Sequence, residues 1–198
     1  MTLFRPANVN DAAFLVPLIA ESSGGVWPAL WRALAEPGES VDAAGARYLT
    51  DTSNSLSVTN TVVAESNGLR VGLMTTYREH QSTTDETDTS TSRALPSDVA
   101  TALQPYRELS DPDSLFIAEL CCSPEARGQG LGSQFLSQAR ESAATKGLPR
   151  VSLRVFTENV GAVRLYERFG FERIDQRSVV PHPDITVEGS VMLMACNV

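Results

Sequence analysis

The spacing of apolar positions changes several times along the chain, and each change marks an element. Leu3-Phe4-Arg5-Pro6 reads as a short strand. Asn10 or Asp11 is placed to cap a helix over Ala12 to Ile19. Pro17 should kink or divide that helix, because proline has no N–H for the helical ladder. Gly24-Gly25 breaks the chain, and Trp27 to Ala35 and Val41 to Leu49 are two further helix candidates. Thr61 to Glu65 and Leu69 to Arg78 are strand-like, and Ser66-Asn67-Gly68 between them is a hairpin signal. Leu115 to Cys122 is an apolar strand. Leu131, Phe135, Ala139 and Ala143 recur at four-residue steps, the buried stripe of a helix over Ser133 to Lys146 that Gly147 ends. Val151 to Phe156 is the next strand, and the intervening crossover makes it parallel to Leu115–Cys122. Ala162, Leu165, Tyr166 and Phe169 give one more helix face, and Phe171 to Val180 and Ser190 to Cys196 are the last strands. Pro181-His182-Pro183 opens the loop between them.

The segment from about 79 to 112 breaks this pattern. Ser82 to Ser92 is almost wholly Ser, Thr, Asp, Glu and Gln, which cannot bury enough apolar surface to order itself. Asp98 to Leu109 is a short helix candidate within it. The segment reads as a polar insertion in a single domain over residues 1–198, either a linker or a lid. An apolar content of 42% suffices for a core, and the net charge of −8 argues against a nucleic-acid or anionic-membrane surface. It favours cationic partners such as amines. Cys121, Cys122 and Cys196 have no metal-ligand spacing, and His80 and His182 add none, so no metal is expected. Without a signal-peptide pattern or an apolar run of about 20 residues, a cytoplasmic protein is expected.

One stretch carries chemistry. Cys122-Ser123-Pro124-Glu125-Ala126-Arg127-Gly128-Gln129-Gly130-Leu131-Gly132-Ser133 joins a strand to a helix through three alternating glycines. Glycines let the backbone turn tightly, and the free N–H groups and dipole of the first helical turn favour an anion. A phosphate or pyrophosphate is the expected guest. A Walker A loop is excluded, since no Gly-Lys-Ser/Thr triplet occurs, and the dinucleotide spacing G-x-G-x-x-G is absent. Arg127, Gly130 and Gly132 fit R/Q-x-x-G-x-G/A instead. Farther on, Asn159, Ala162, Leu165, Tyr166, Gly170 and Phe171 fit N-x-x-A-x-x-L-Y-x-x-x-G-F.

With both motifs in this order, the chain resembles the GNAT (Gcn5-related) N-acetyltransferase superfamily, over roughly residues 115–171. The resemblance implies an α/β (mixed α+β) fold of order β-α-α-β-β-β-α-β-α-β-β. Its six- to seven-stranded mixed sheet is flanked by helices. Strands four and five are parallel and splayed, and strand four is bulged. It also implies acetyl-CoA as co-substrate, an amine acceptor and direct attack in a ternary complex. The backbone of Gly128, Gln129, Gly130, Leu131, Gly132 and Ser133 would hold the pyrophosphate, with Arg127 adding a charge. Leu120, Cys121 and Cys122 would present a backbone edge to the pantetheine arm. Asn159 would bond that arm, cap its own helix, or do both.

For the chemistry, Tyr166 matches the tyrosine that protonates the departing sulfur. Glu119, a carboxylate in an apolar strand, is the leading base, and burial should raise its pKa toward a useful value. It could instead only orient a cationic acceptor. Arg154 stands where some relatives carry an acid, and Glu158 is a loop-borne substitute. A strand-four N–H, that of Leu120, is the candidate oxyanion donor. Trp27 and Trp31 would line the acceptor pocket or fill the core. A non-catalytic acyl-CoA sensor and an enzyme acting on protein or peptide amines stay open, as does a homodimer.

Overall fold

The computed structural model describes residues 2–79 and 95–198. The Ser82–Ser92 tract therefore lies outside the described residues. In chain order the elements are β1 (Thr2–Pro6), α1 (Ala12–Ser22), α2 (Val26–Leu34), α3 (Val41–Thr50), β2 (Thr61–Ser66), β3 (Leu69–Arg78) and α4 (Ser97–Glu108). They continue with β4 (Leu115–Cys122), α5 (Leu131–Thr145), β5 (Arg150–Phe156), α6 (Val160–Arg168), β6 (Glu172–Ser178) and β7 (Ser190–Asn197). Both α3 and α4 are formed, so the helices exceed the expected order by these two. Among the described residues no helix is long and apolar enough to cross a membrane.

Seven strands form one sheet in the order β1-β2-β3-β4-β5-β7-β6, with only β4 and β5 parallel. The hairpin between β2 and β3 turns at Asn67 and Gly68, both at positive φ (52° and 77°), which matches the right-handed twist of the strands. One face of the sheet carries α5 and α6: Phe135, Leu136 and Tyr166 pack with Ile117, Leu153 and Met194. The other carries α1 to α3, where Leu15, Ile19, Trp31 and Leu49 pack on Val63, Leu73 and Cys121. Burial of each such large side chain contributes roughly 1.5–3 kcal/mol.

Pro17 does not divide α1, which runs unbroken from Ala12 to Ser22. Pro17 and Ala13 both lie on the exposed face, so water can satisfy the carbonyl that the proline ring leaves unbonded. The expected cap also shifts. Asn8, rather than Asn10 or Asp11, caps a short 3-10 turn over Val9–Asp11 that precedes α1. Asp11 answers by accepting from the Asn8 N–H at 2.8 Å. The same carboxylate, fully buried, meets Arg5 Nη1 at 2.8 Å and Arg70 Nε at 2.8 Å, tying β1, β3 and the start of α1 together.

The helix expected at Asp98–Leu109 is α4. Leu30 of α2 packs with its Val99 and Leu103, and Ala29 with its Ala102 and with Ile185 of the β6–β7 loop. That loop is strapped to the α1–α2 turn by Thr186 N–H donating to Gly24 O at 2.9 Å and by Arg32 Nε to Asp184 at 3.0 Å. The approach is close. A Cβ on Gly25, itself at φ +94°, would come within 1.8 Å of the Asp184 carbonyl oxygen.

Arg5, above all through its hydrogen bonds, holds the Asp11 carboxyl below the usual carboxylate range. The stability this contributes is present above the carboxylate pKa of an unfolded chain and is lost as pH falls through the lower folded value. Asp11→Ala is expected to cost roughly 1.5–3 kcal/mol at pH 7, read by denaturant unfolding, because it removes a charged hydrogen-bond partner from Arg70 and leaves Arg5 with Glu65. The difference from wild type should shrink as the pH is taken below about 4.

Candidate active site

Strand β4 generates the site by two departures from regularity. First, it pairs with β5 only at Leu115↔Val151, Phe116↔Ser152 and Ile117↔Leu153, and the strands then part. Backbone groups beyond Ile117 on that edge are left without a β5 partner. Second, β4 is bulged against β3: Thr75 faces Glu119 while the next residue, Thr76, faces Ile117. Ala118 is the extra residue. Strand alternation sends Ile117 to the α5–α6 side and Ala118 to the α1–α3 side. Unbroken alternation would send Glu119 into the α5–α6 core. The bulge instead keeps Glu119 on the same side as Ala118, and Leu120 returns to the α5–α6 side. Cys121 and Cys122 then fall on opposite faces.

Glu119 is thereby turned into a cleft that opens where β4 and β5 part, lined among others by Ser22, Trp27, Asn159 and Tyr166. Trp27 Nε1 donates to Glu119 Oε1 at 2.5 Å, and the Ser22 hydroxyl lies 3.2 Å from Oε2. The Cys121 thiol donates to the Ser22 oxygen at 3.0 Å. Burial pushes the Glu119 carboxyl up to about 7, against the bonds from Trp27, Ser22 and Cys121 that favour its charged form. Burial, together with the neighbouring Glu119, raises the Cys121 thiol well above its ordinary value. The Cys121 thiol therefore keeps its proton at neutral pH.

Tyr166 is brought to the same cleft from the opposite side by α6, whose Asn159 cap accepts from Ala162 N–H at 3.2 Å. Its ring packs beside Phe171, 5.7 Å between centroids. Burial first, then the neighbouring Cys121, Glu119 and Cys122, raise its phenol, so the proton is firmly held at neutral pH. The two tryptophans divide the expected roles. Trp27 lines the cleft on Glu119, whereas Trp31 is fully buried in the α1–α3 core.

The glycine loop follows β4. Gly128 and Gly130 take positive φ (74° and 80°), and a Cβ on either would meet nothing within 4 Å, so the loop surface is open beside both. Gly130 is the cap residue of α5, which begins at Leu131 and not at Ser133. An earlier start is possible because the Leu131 side chain drops into the core while its N–H stays at the helix mouth. Among the described residues no backbone N–H from Gly128 to Ser133 has a loop or capping partner; the first to pair is Gln134, to Gly130 O at 3.2 Å. A row of unpaired amides on an open helix N-terminus fits a diphosphate. Gly132 adds a packing role, since a Cβ there would press on Leu165 at 2.8 Å.

Two flanking side chains are engaged within the protein. Arg127 Nε donates to Cys122 O at 3.1 Å and its Nη2 to Glu21 at 2.9 Å, which braces the loop against the end of β4. Gln129 donates to Glu125 O at 2.6 Å. Arg154 was identified in the sequence only as a departure. It donates from Nε to Leu109 O at 2.7 Å and from Nη2 to the buried Glu79 at 2.9 Å. Sequence reasoning missed Ser22, Glu79 and Tyr106 at this site, because nothing local shows which distant strands these residues reach, even for Tyr106 on the expected helix over Asp98–Leu109.

The acetyltransferase (GNAT) family model matches residues 27–171. An uncharacterized N-acetyltransferase of Methanocaldococcus jannaschii is 41% identical over 56 residues, 28% of this chain and 25% of that protein. The chain spans no more than about a quarter of the length of the curated relatives it matches. The crystal structure of an N-acetyltransferase from Staphylococcus aureus Mu50 superposes with TM-score 0.68 at 16% identity, covering 98% of this chain and 99% of that one. That of an agmatine N-acetyltransferase mutant gives 0.64 at 20% identity, over 100% and 99%. At these identities the likeness is one of fold.

The Glu119 environment can be tested directly. Its carboxyl resonance is expected to titrate near pH 7 by carbon NMR. Trp27→Phe, which removes a bond favouring the charged form, should move that midpoint upward.

Proposed function

Because this chain belongs to the acetyltransferase (GNAT) family, we propose that it transfers the acetyl group of acetyl-CoA to a primary amine by direct attack in a ternary complex. The observation that carries this reading is the bulge at Ala118. It turns a carboxyl raised to about 7 into the cleft that Tyr166 also lines, one loop away from the unpaired amides of Gly128–Ser133.

Bound acetyl-CoA supplies an activated acyl thioester. The amides from Gly128 to Ser133 hold its diphosphate, and the unpaired edge of β4 at Leu120–Cys122 faces its pantetheine arm. Arg127 stiffens the loop and keeps Nη1 for a phosphate oxygen. The side-chain oxygen of Asn159 caps α6, which leaves its amide nitrogen for the arm. Glu119 takes a proton from the acceptor ammonium. With a pKa near 7 it is ionised in about half the molecules at neutral pH and is basic enough for the transfer. Trp27 and Ser22 fix the carboxylate in place. The freed amine attacks the thioester carbonyl and the C–S bond breaks. Tyr166 gives its phenolic proton to the departing sulfur and is reprotonated by the proton that the acylated nitrogen sheds, and its raised pKa keeps the phenol protonated throughout the working range.

Thiol release from acetyl-CoA across a panel of amines tests the reading. With an accepted amine, kcat/KM should rise with pH through an apparent pKa near 7 and fall about tenfold per pH unit below it, since the base works deprotonated. Glu119→Gln should lower kcat/KM by about 10²–10⁴-fold and abolish that limb, and Tyr166→Phe should lower kcat by a similar factor with CoA affinity retained. Tight CoA binding with no acceptor in the panel would sink the transferase reading.

A further inference from the structure

The cleft that Glu119 lines also holds hydrogen-bond donors that the chemistry above does not use. Arg154 projects from β5 just beyond the last residue paired with β4, with 22% of its side chain exposed. Its Nε and Nη2 are committed to Leu109 O and Glu79, and its guanidinium stacks over the Phe116 ring, 4.5 Å from the centroid. These contacts hold the fork in one orientation. Nothing among the described residues accepts from Nη1, so a charged donor remains. Beside it stands Tyr106 of α4, packed edge-on against Phe156 at 6.0 Å. Its hydroxyl is buried and has no partner among the described residues. A buried hydroxyl without a partner is destabilising unless something arrives to accept from it.

The cleft is therefore bipolar. Its lining includes the Glu119 carboxylate, held by Trp27, and the Arg154 guanidinium and Tyr106 phenol, which lie against the rings of Phe116 and Phe156. Resting on the acetyl-transfer reading, we propose that the acceptor is a small amino-carboxylate. Its amine lies at Glu119, and its carboxylate accepts from Arg154 Nη1 and the Tyr106 hydroxyl. A carboxylate suits this pair because it offers two oxygens to two donors, one of them charged. Glu79 acts as a positioning residue: buried, it accepts from Asp111 N–H at 2.8 Å and aims Arg154.

The test pairs each amino acid with the amine that lacks only its carboxylate: leucine with isopentylamine, phenylalanine with phenethylamine, and 4-aminobutyrate with propylamine. In wild type the best amino acid should exceed its partner amine in kcat/KM by about tenfold or more. Tyr106→Phe should lose about two- to tenfold on the amino acid and nothing on the amine. Arg154→Met should bring the ratio close to one. Because Arg154→Met also strands Glu79, the Tyr106→Phe result keeps the test meaningful if that variant misfolds. Amines acetylated as well as or better than their amino acids by wild type would overturn this proposal and leave the transferase reading standing. Transfer to no compound of either kind, with acetyl-CoA still bound, would overturn both.

Discussion

The parting of β4 from β5 is the constraint on which everything else in the molecule depends. A sheet interior normally pairs every N–H and C=O, and leaving such groups unpaired is costly unless water or a ligand takes them. Here the ladder stops after Ile117↔Leu153 although both strands continue. The strands stay in place because each is held on its outer side, β4 by β3 and β5 by β7 over its whole length. The opening is thus built into a rigid frame and does not depend on a moving part. Its mouth is where the glycine loop, the α6 cap and the α1–α2 turn meet.

The two ends of the cleft are made in different ways. The end proposed for the cofactor is local: one strand, one loop and one helix mouth within β4–α5, with α6 added through its cap. Its unpaired groups are backbone amides, so the side chains there are free to pack, as Leu131 and Gly132 do. The end proposed for the acceptor is built from side chains of α1, α2, α4, β4 and β5. On this reading a protein of net charge −8 would receive an anion on main-chain dipoles and a cation at Glu119.

Legibility in the sequence followed the same division. Leu131, Phe135, Ala139 and Ala143 predict α5 because a buried helix face has a period, and the alternating glycines predict the turn because only glycine takes positive φ without strain. The bulge at Ala118 leaves no such trace. It is a mismatch between β3 and β4, visible only when both strands are paired, and it decides which way Glu119 points. Trp27 and Trp31 are alike in sequence, four positions apart on one helix. The contact of α2 with α3 and β4 sends one to the cleft and the other to the core. Arg154 reads as a departure because some relatives carry an acid at that position, and no local signal shows its partners Glu79 and Leu109, which lie 75 and 45 positions away. Pro17 misled because whether a proline breaks a helix depends on what its unbonded carbonyl faces.

The strap between the α1–α2 turn and the β6–β7 loop has an evolutionary consequence. Gly24 and Thr186 are joined although 162 positions separate them, and Gly25 has no room for any side chain against Asp184. The α1–α2 turn, next to the cleft residues Ser22, Ser23, Val26 and Trp27, is consequently braced by a loop near the opposite end of the polypeptide. Recombination that exchanged either end alone would part the turn from the brace that fits it. Divergence of selectivity in proteins built this way should proceed by paired substitutions across the strap, not by segment swapping.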